Sequence, residues 1–216
     1  AAVFIKPEPH SILIVGLGGG TLPTAMHQLL PKAHITSVEI DAAVVKPAQQ
    51  YFYYQEGPQV ITETLDARVF IKRAGRQGKK WDLVVLDAFN GDYIPEHLMT
   101  REFLQEVQAV LNPGGLVAAN TFATSRLYHH ESATYNAVFS HLHMLSRGDG
   151  NRVIFASDES FVLPKAEVAR EQWQARLQQY DMDVKDILAL EKPFKWDVSA
   201  KVLTDQFVPA NILKNH

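Results

Sequence analysis

A glycine-rich loop near the start of the chain is the first segment that could carry chemistry. It reads Val15-Gly16-Leu17-Gly18-Gly19-Gly20-Thr21 and follows an apolar run. Glycines let the backbone turn tightly and approach a ligand closely, and the following helix N-terminus adds positive potential. Gly16, Gly18, Gly19 and Gly20 are therefore candidate ligand-binding residues, although a tight turn without a ligand would use the same residues. Thr21 stands where the full NAD pattern has a glycine, which weakens a dehydrogenase interpretation.

Two acidic positions follow at spacings that suit an adenosine ligand. Glu39 ends the second predicted strand, about 20 residues past the loop, where a carboxylate can accept hydrogen bonds from both ribose hydroxyls. Asp66 and Ala67 lie just past the third predicted strand. There a carboxylate can accept the adenine amino group and a small residue leaves room for the ring. The alternatives are a solvated strand-end carboxylate for Glu39 and a plain helix N-cap for Asp66.

Asp87 stands at the carboxyl end of the fourth predicted strand, directly after the apolar residues 83–86. Ligands of open α/β sheets bind outside these strand ends, so Asp87 is the candidate catalytic residue. A polar loop over residues 88–95 follows and could close over a substrate. We expect Asp87, Asp92 and Tyr93 to contact the substrate. The alternative is that Asp87 only bonds backbone at the sheet edge.

Other kinds of active site find no support in the sequence. The chain has nine histidines and no cysteine. No HExxH motif occurs, and no histidine pair has a further ligand at metal-binding spacing, so we predict no metal and interpret the histidines as surface or interior residues. No G-x-S-x-G motif is present to position a serine nucleophile.

The composition is that of an ordinary globular protein. The chain has 216 residues, of which 46% are hydrophobic and 21% charged, and its formal net charge is −3. We therefore predict no nucleic-acid partner. No apolar run approaches the roughly 20 residues of a membrane span, so we predict no membrane segment and a cytoplasmic location. Because the chain begins at Ala1 without a methionine, we interpret it as a trimmed product.

Apolar runs alternate with longer amphipathic segments, a pattern typical of βαβ units. The sequence predicts one α/β domain over residues 1–216: a doubly wound, mostly parallel, seven-stranded sheet of the Rossmann-like type. Its last two strands are joined by a short turn at residues 147–151, so one terminal strand should be antiparallel. The predicted strands are Ile12–Gly16, Ile35–Ile40, Gln59–Thr62, Trp81–Asp87, Leu116–Thr121, His141–Ser146 and Arg152–Ser157.

Helices are predicted between these strands. We expect the fourth of them, Pro95–Leu111, to expose Thr100 and Glu102, and the tail from Asp181 onward to be irregular. The predicted helices are Leu22–Leu30, Ala42–Tyr53, a segment from Asp66 to Arg73, Pro95–Leu111, His129–Phe139 and Glu167–Tyr180.

These motifs together resemble the class I S-adenosylmethionine methyltransferase fold, and more narrowly the spermidine synthase (polyamine aminopropyltransferase) family. The narrower resemblance covers about residues 10 to 213. It is carried by GLGGGTLP in the glycine loop, by VEID at residues 38–41, by DAFNGDYIPEHLMTREF at residues 87–103 and by KVLTDQFVPAN at residues 201–211.

The resemblance implies a fold, a donor and an acceptor. In that family the donor is decarboxylated S-adenosylmethionine, held by the glycine loop, by an acid equivalent to Glu39 and by a pair equivalent to Asp66-Ala67. An aspartate equivalent to Asp87 orients and deprotonates a small-molecule amine. No metal is implied, and a homodimer is compatible with the resemblance.

Three departures from the family pattern keep alternatives open. Thr21 replaces an aspartate that favours the decarboxylated donor. The family's Asp-Ser-Ser-Asp gate reads Asp87-Ala88-Phe89-Asn90, with Asp92 as a substitute for the second acid. The family's N-terminal β-stranded domain has no counterpart. An S-adenosylmethionine-dependent methyltransferase acting on a protein or small molecule, and a non-catalytic adenosine-ligand binding domain, are therefore the alternative functions.

Overall fold

The computed structural model describes residues 1–89 and 93–209. It contains an eight-stranded sheet in the order β3-β2-β1-β4-β5-β7-β6-β8. The strands are β1 Ser11–Val15, β2 His34–Glu39, β3 Val60–Thr64, β4 Trp81–Leu86, β5 Leu111–Phe122, β6 His141–Ser146, β7 Asn151–Ser157 and β8 Glu191–Lys192.

The sheet confirms the predicted doubly wound architecture. Strands β3, β2, β1, β4 and β5 pair in parallel, and β7 is antiparallel to both of its neighbours, β5 and β6. The seven predicted strands are all present. An eighth strand of two residues, which the sequence does not predict, pairs with the outer edge of β6.

Eight α-helices accompany the strands of the described chain. They are α1 Ala2–Ile5, α2 Thr21–Leu29, α3 Ala42–Tyr51, α4 Ala67–Arg76, α5 Arg101–Ala109, α6 Tyr128–Asn136, α7 Ala166–Leu177 and α8 Val184–Leu188. Within residues 1–89 and 93–209, none of them is long and apolar enough to cross a bilayer.

Helix α5 begins at Arg101, six residues later than the predicted helix start at Pro95. Thr100 caps it, because its hydroxyl oxygen accepts a hydrogen bond from the Phe103 N–H at 3.2 Å. Residues 96–98 form a separate 3₁₀ turn. The prediction that Thr100 is exposed is wrong: Thr100 is buried, and its hydroxyl also donates to Asp205 at 2.7 Å.

The tail is more regular than predicted. Helix α8 and strand β8 both lie beyond Asp181, and Asp183 caps α8 by accepting from the Lys185 N–H at 2.7 Å. Val184 is fully buried and belongs to the core. This long-range burial stabilises a segment whose local sequence has only weak helical signals.

Two apolar layers cover the faces of the sheet. Alternate strand residues point to opposite faces, so Ile12 and Ile14 of β1 join one cluster while Leu13 and Val15 join the other. Both layers are close to fully buried at these positions. The sheet is therefore packed on both faces, and the candidate site residues lie at the carboxyl ends of its strands.

Candidate functional site

A cleft of about 740 Å³ lies along the carboxyl ends of β1, β2, β3 and β4. This volume suits a ligand of nucleoside size. The predicted site residues that line the cleft are Gly16, Gly18, Gly19, Glu39, Asp66, Ala67 and Asp87. Four separate βα units thus supply one cleft, because parallel strands end at the same edge of the sheet.

The glycines of the loop serve different purposes. Gly16, Gly18 and Gly20 all have positive φ, a conformation that glycine adopts most easily. A Cβ on Gly16 would lie 2.5 Å from the Asp87 carbonyl oxygen, whereas one on Gly18 would meet nothing within 4 Å. Gly18 therefore presents bare backbone to the cleft, and Gly16 lets β1 and β4 end side by side.

Gly20 differs from the other predicted ligand-binding glycines because it is absent from the cleft wall. A Cβ at Gly20 would lie 2.5 Å from Cγ of Tyr54, a buried side chain whose hydroxyl bonds Thr62. The structure thus gives Gly20 a packing reason: the loop lies directly on the Tyr54 ring.

Glu39 joins the glycine loop to the end of β2. Its Oε2 accepts from the Leu17 N–H and its Oε1 accepts from the Asp41 N–H, both at 3.0 Å. The side chain is largely buried at the floor of the cleft. Because each carboxylate oxygen has a second lone pair, Glu39 can hold the loop and still accept two hydroxyl groups of a ligand.

Asp66 is the N-cap of α4 and is also paired across the cleft. Its Oδ1 accepts from the Val69 N–H at 2.9 Å, and its Oδ2 lies 2.9 Å from Nε2 of His97. Partial burial alone would raise the pKa of Asp66, but the hydrogen bonds from Val69 and His97 hold it below its usual value. Asp66 therefore stays ionised as an acceptor at the edge of the cleft, beside the buried Ala67.

Asp87 follows β4 directly and is held by an amide from the neighbouring strand. Asn120 Nδ2 donates to Asp87 Oδ1 at 2.9 Å, and Asn120 Oδ1 accepts from Asn151 Nδ2 at 3.0 Å. Burial raises the pKa of Asp87 above its usual value, and the hydrogen bond from Asn120 offsets part of that rise. A partly desolvated carboxylate of this kind is suited to accept a proton.

The loop after Asp87 is described only in part. Asp92, one of the predicted substrate contacts, lies outside the described residues. Tyr93 is 42% exposed and is not among the residues that line the cleft. Ala88 and Phe89 do line it, and the Phe89 ring packs edge-on against Phe122 at 5.1 Å between centroids.

A second, water-sized cavity lies beside the cleft. Val15, Ala88 and Leu98 line both spaces. Its polar wall includes Thr121 and the buried Glu131, whose Oε2 accepts from Arg152 Nη2 at 3.0 Å. Despite this ion pair, desolvation raises the pKa of Glu131 to about 7.

Sequence reasoning missed two polar residues of this region. His97 lines the cleft, although the residues around it in the sequence form no metal-binding or catalytic-triad motif. Asn120 lies within the largely apolar strand β5. It contacts Asp87 because β5 pairs with β4, the strand that Asp87 follows. A usable signal was present in both cases: Asn120 is a polar residue within an apolar run, and His97 lies two residues past the polar loop that follows Asp87. Within the described parts of the chain, no group of three metal-ligating side chains is found.

Comparison with known proteins assigns a family to this fold and cleft. The model of the spermine/spermidine synthase domain matches residues 1–144. The chain belongs to the spermine/spermidine synthase family. A curated relative, the polyamine aminopropyltransferase of Vibrio vulnificus, is 46% identical over 222 residues, which cover 99% of this chain and 73% of that protein.

Solved structures share the fold at low sequence identity. Human methyltransferase-like protein 13, solved in complex with SAH, has a TM-score of 0.65 and 24% identity, and the match covers 98% of this chain and 91% of that one. A spermidine synthase in complex with the transition-state analogue AdoDATO has a TM-score of 0.58 and 16% identity, over 98% of this chain and 69% of that one. Both likenesses support the methyltransferase-like Rossmann fold of the family.

Proposed function

We propose that this chain is an enzyme that transfers an aminopropyl group from decarboxylated S-adenosylmethionine to a small di- or polyamine. The observation that carries the proposal is the half-buried Asp87 carboxylate, which borders the same cleft as the glycine loop, Glu39 and Asp66. The family and the 46% identical aminopropyltransferase agree with this chemistry.

The donor fits the cleft by its hydrogen-bonding groups. Glu39 would accept from the ribose hydroxyls, Asp66 would accept from the adenine amino group, and Ala67 leaves space for the ring. Gly18, where a Cβ would meet nothing within 4 Å, would let the remainder of the donor approach the backbone closely, and Gly16 and Gly19 line the same part of the cleft. Gly20 would not contact the donor; it would allow the loop to pack against the Tyr54 ring.

Asp87 would act on the acceptor. An alkylammonium ion must lose a proton before its nitrogen can attack, and the Asp87 carboxylate would take that proton. The nitrogen lone pair then forms a bond to the methylene carbon of the aminopropyl group that is bonded to the sulfonium. The carbon–sulfur bond breaks with its electrons moving to sulfur, and methylthioadenosine leaves. Asp92 and Tyr93 remain proposed acceptor contacts. The sulfonium is already a good leaving group, so the protein mainly has to position the reactants.

Methyl transfer from S-adenosylmethionine is the second candidate function. The observation that favours it is Thr21, which lines the cleft at the position where the family has an aspartate. A neutral hydroxyl does not repel the carboxylate of the intact donor, whereas an aspartate would.

The decisive experiment supplies both donors separately, with putrescine, cadaverine and spermidine as acceptors, and detects methylthioadenosine and S-adenosylhomocysteine by mass spectrometry. We expect methylthioadenosine from the decarboxylated donor. Asp87→Asn should lower the single-turnover rate about 10²–10⁴-fold, the scale of a general base. Glu39→Ala should weaken donor binding by about 1–3 kcal/mol.

Three results would contradict the proposal. Formation of S-adenosylhomocysteine alone would favour methyl transfer. Binding of either donor without turnover would indicate a ligand-binding domain. A folded Asp87→Asn protein with an unchanged rate would remove Asp87 from the mechanism.

A further inference from the structure

We propose that His97 is a donor-binding residue that contacts the adenine base together with Asp66, and that the C-terminal segment at residues 203–205 positions it through Arg68. The inference rests on the proposed function, because it assigns the end of the cleft near Asp66 to an adenine ring. It concerns two residues, His97 and Arg68, to which the sequence motifs assign no role.

His97 is in the 3₁₀ turn that follows the loop after Asp87 and reaches back across the cleft. Its Nε2 lies 2.9 Å from Asp66 Oδ2, and both side chains line the cleft beside Ala67. The imidazole is 45% exposed and the Asp66 side chain 27% exposed, so a ligand in the cleft can reach both groups.

The pairing leaves Asp66 free to bind a base. With its proton on Nε2, His97 donates one hydrogen bond to Oδ2, and a carboxylate has about four lone-pair sites in all. Val69 and His97 use two of them, and the Arg68 backbone N–H also interacts with the carboxylate. An exocyclic amino group can take a site that remains. The imidazole orients the carboxylate toward the cleft, and its own ring adds a flat surface at the place where the base would lie.

Arg68 fixes the backbone that carries His97. Its Nη1 donates to the His97 carbonyl oxygen at 3.3 Å. The same guanidinium forms a bidentate pair with Asp205, with both contacts at 2.7 Å, and a second bidentate pair with Glu106, with both contacts at 2.8 Å. Two carboxylates thus hold the planar guanidinium in one orientation through four contacts, and a fifth contact, from Nη1, falls on the His97 carbonyl oxygen.

The C-terminal segment is itself anchored to the helices around it. The Leu203 carbonyl accepts from the Arg101 N–H at 2.8 Å, and the Leu203 N–H donates to the Thr134 hydroxyl at 2.9 Å. The Leu203 side chain is fully buried, and Asp205 also accepts from Thr100. The position of His97 is therefore set by residues more than 100 positions later in the chain.

Equilibrium binding of methylthioadenosine tests the role of His97 without requiring turnover. We expect His97→Ala to raise its dissociation constant about 5- to 10-fold, the value of one or two hydrogen bonds. Methylthioinosine lacks the amino group, so its affinity should change less and the preference for adenosine should shrink. His97→Gln, whose amide nitrogen can occupy the place of Nε2, should restore part of the preference. His143→Ala is the matched control, because His143 also pairs with a carboxylate, Glu191, but does not line the cleft.

A double-mutant cycle tests the positioning role of Arg68. Arg68→Lys should weaken methylthioadenosine binding in the wild-type background. It should have little further effect in the His97→Ala background, because Arg68 is proposed to act only by positioning the His97 side chain that this variant lacks. The exposed Arg73→Lys on the same helix is the control. Additive effects of the two substitutions would overturn the positioning role.

The outcomes separate this inference from the proposed function. A wild-type protein that binds methylthioadenosine, with a folded His97→Ala variant that binds it equally well, overturns the role of His97 and leaves aminopropyl transfer intact. An equal loss of affinity for methylthioadenosine and methylthioinosine also overturns it, since the amino group would then play no part. A wild-type protein that binds no S-adenosyl compound overturns the proposed function and this inference with it.

Discussion

Asn120 donates its side-chain amide to Oδ1 of Asp87 at 2.9 Å across the β4–β5 pair. Asn151 donates in turn to the Asn120 carbonyl oxygen, so the amide orientation of Asn120 is determined and its NH₂ group faces Asp87. One carboxylate oxygen is thereby held, and the other remains available to a substrate. The relationship links the candidate base to a residue 33 positions later.

Asn120→Ala should therefore impair the reaction without abolishing donor binding. The hydrogen bond from Asn120 lowers the pKa of Asp87, so its removal should raise that pKa further. Because Asp87 accepts a proton only when ionised, the acidic limb of the pH–rate profile should move to higher pH. We expect the maximal rate to fall roughly tenfold. Asn151→Ala should act in the same direction with a smaller shift, and a profile identical to wild type in Asn120→Ala would show that the amide has no role.

Asp87→Asn should raise the thermal midpoint at neutral pH. The pKa of Asp87 is raised by burial in the folded state, so the folded protein binds the proton more tightly than the unfolded chain. Stability should consequently decrease as pH rises from the unfolded to the folded pKa, and the amide variant should escape this loss. Melting curves at pH 4 and pH 8 measure the effect.

Asp82, on the strand β4 that Asp87 directly follows, is the control for that experiment. Partial burial would raise its pKa, but hydrogen bonds from Asn112, His10 and Ser11 hold it below the usual value. Asp82→Asn should therefore lower the midpoint at neutral pH, with the turnover rate per folded molecule unchanged. Equal destabilisation by both substitutions would contradict the description of Asp87 as a partly desolvated carboxylate whose pKa is raised by burial.

Gly20→Ala should destabilise the fold more than Gly78→Ala. The two glycines have nearly the same φ, +71° and +70°, so the backbone penalty is matched. A Cβ at Gly20 would press on the Tyr54 ring, whereas one at Gly78 meets nothing within 4 Å. We expect an additional loss of about 1–3 kcal/mol for Gly20→Ala in urea unfolding, the usual cost of overpacking. Equal losses would mean that the Tyr54 contact is unimportant.

Glu131→Gln should change how stability depends on pH. Desolvation raises the pKa of Glu131 to about 7 from its model-compound value of 4.5, and the attraction of Arg152 offsets only part of this rise. The folded state then holds a proton that the unfolded chain releases. The wild-type free energy of unfolding should therefore decrease between about pH 4.5 and pH 7 relative to the variant. Urea unfolding across this range checks it, and a parallel pH dependence in both proteins would indicate that Arg152 keeps Glu131 ionised.

The long apolar strands and the glycine loop were predictable because their signals are local. Ile12–Gly16 and Trp81–Asp87 are largely apolar runs, which are typical of strands buried on both faces of a sheet. The structure begins and ends these strands within one residue of the predicted limits. Since parallel strands joined by right-handed crossovers end at one edge, Glu39, Asp66 and Asp87 had to lie along that edge.

The start of helix α5 and the structure beyond Asp181 depend on contacts between residues that are far apart in the sequence. Thr100 caps α5 and is buried, and its hydroxyl bonds Asp205, a residue 105 positions away. Helix α8 exists where Val184 reaches the core. In both places tertiary burial outweighs the local preference.

The sequence by itself determined the fold class, the glycine loop and the order of the acidic residues along the cleft, because hydrophobic periodicity and chain connectivity are properties of the sequence. Only the tertiary structure decided which side chains meet those acids. The pairs Asp87–Asn120, Asp66–His97 and Arg68–Asp205 join residues 33, 31 and 137 positions apart. Such hydrogen bonds last only when their groups are brought to within about 3 Å and partly shielded from water, and the packing of distant elements alone provides both conditions.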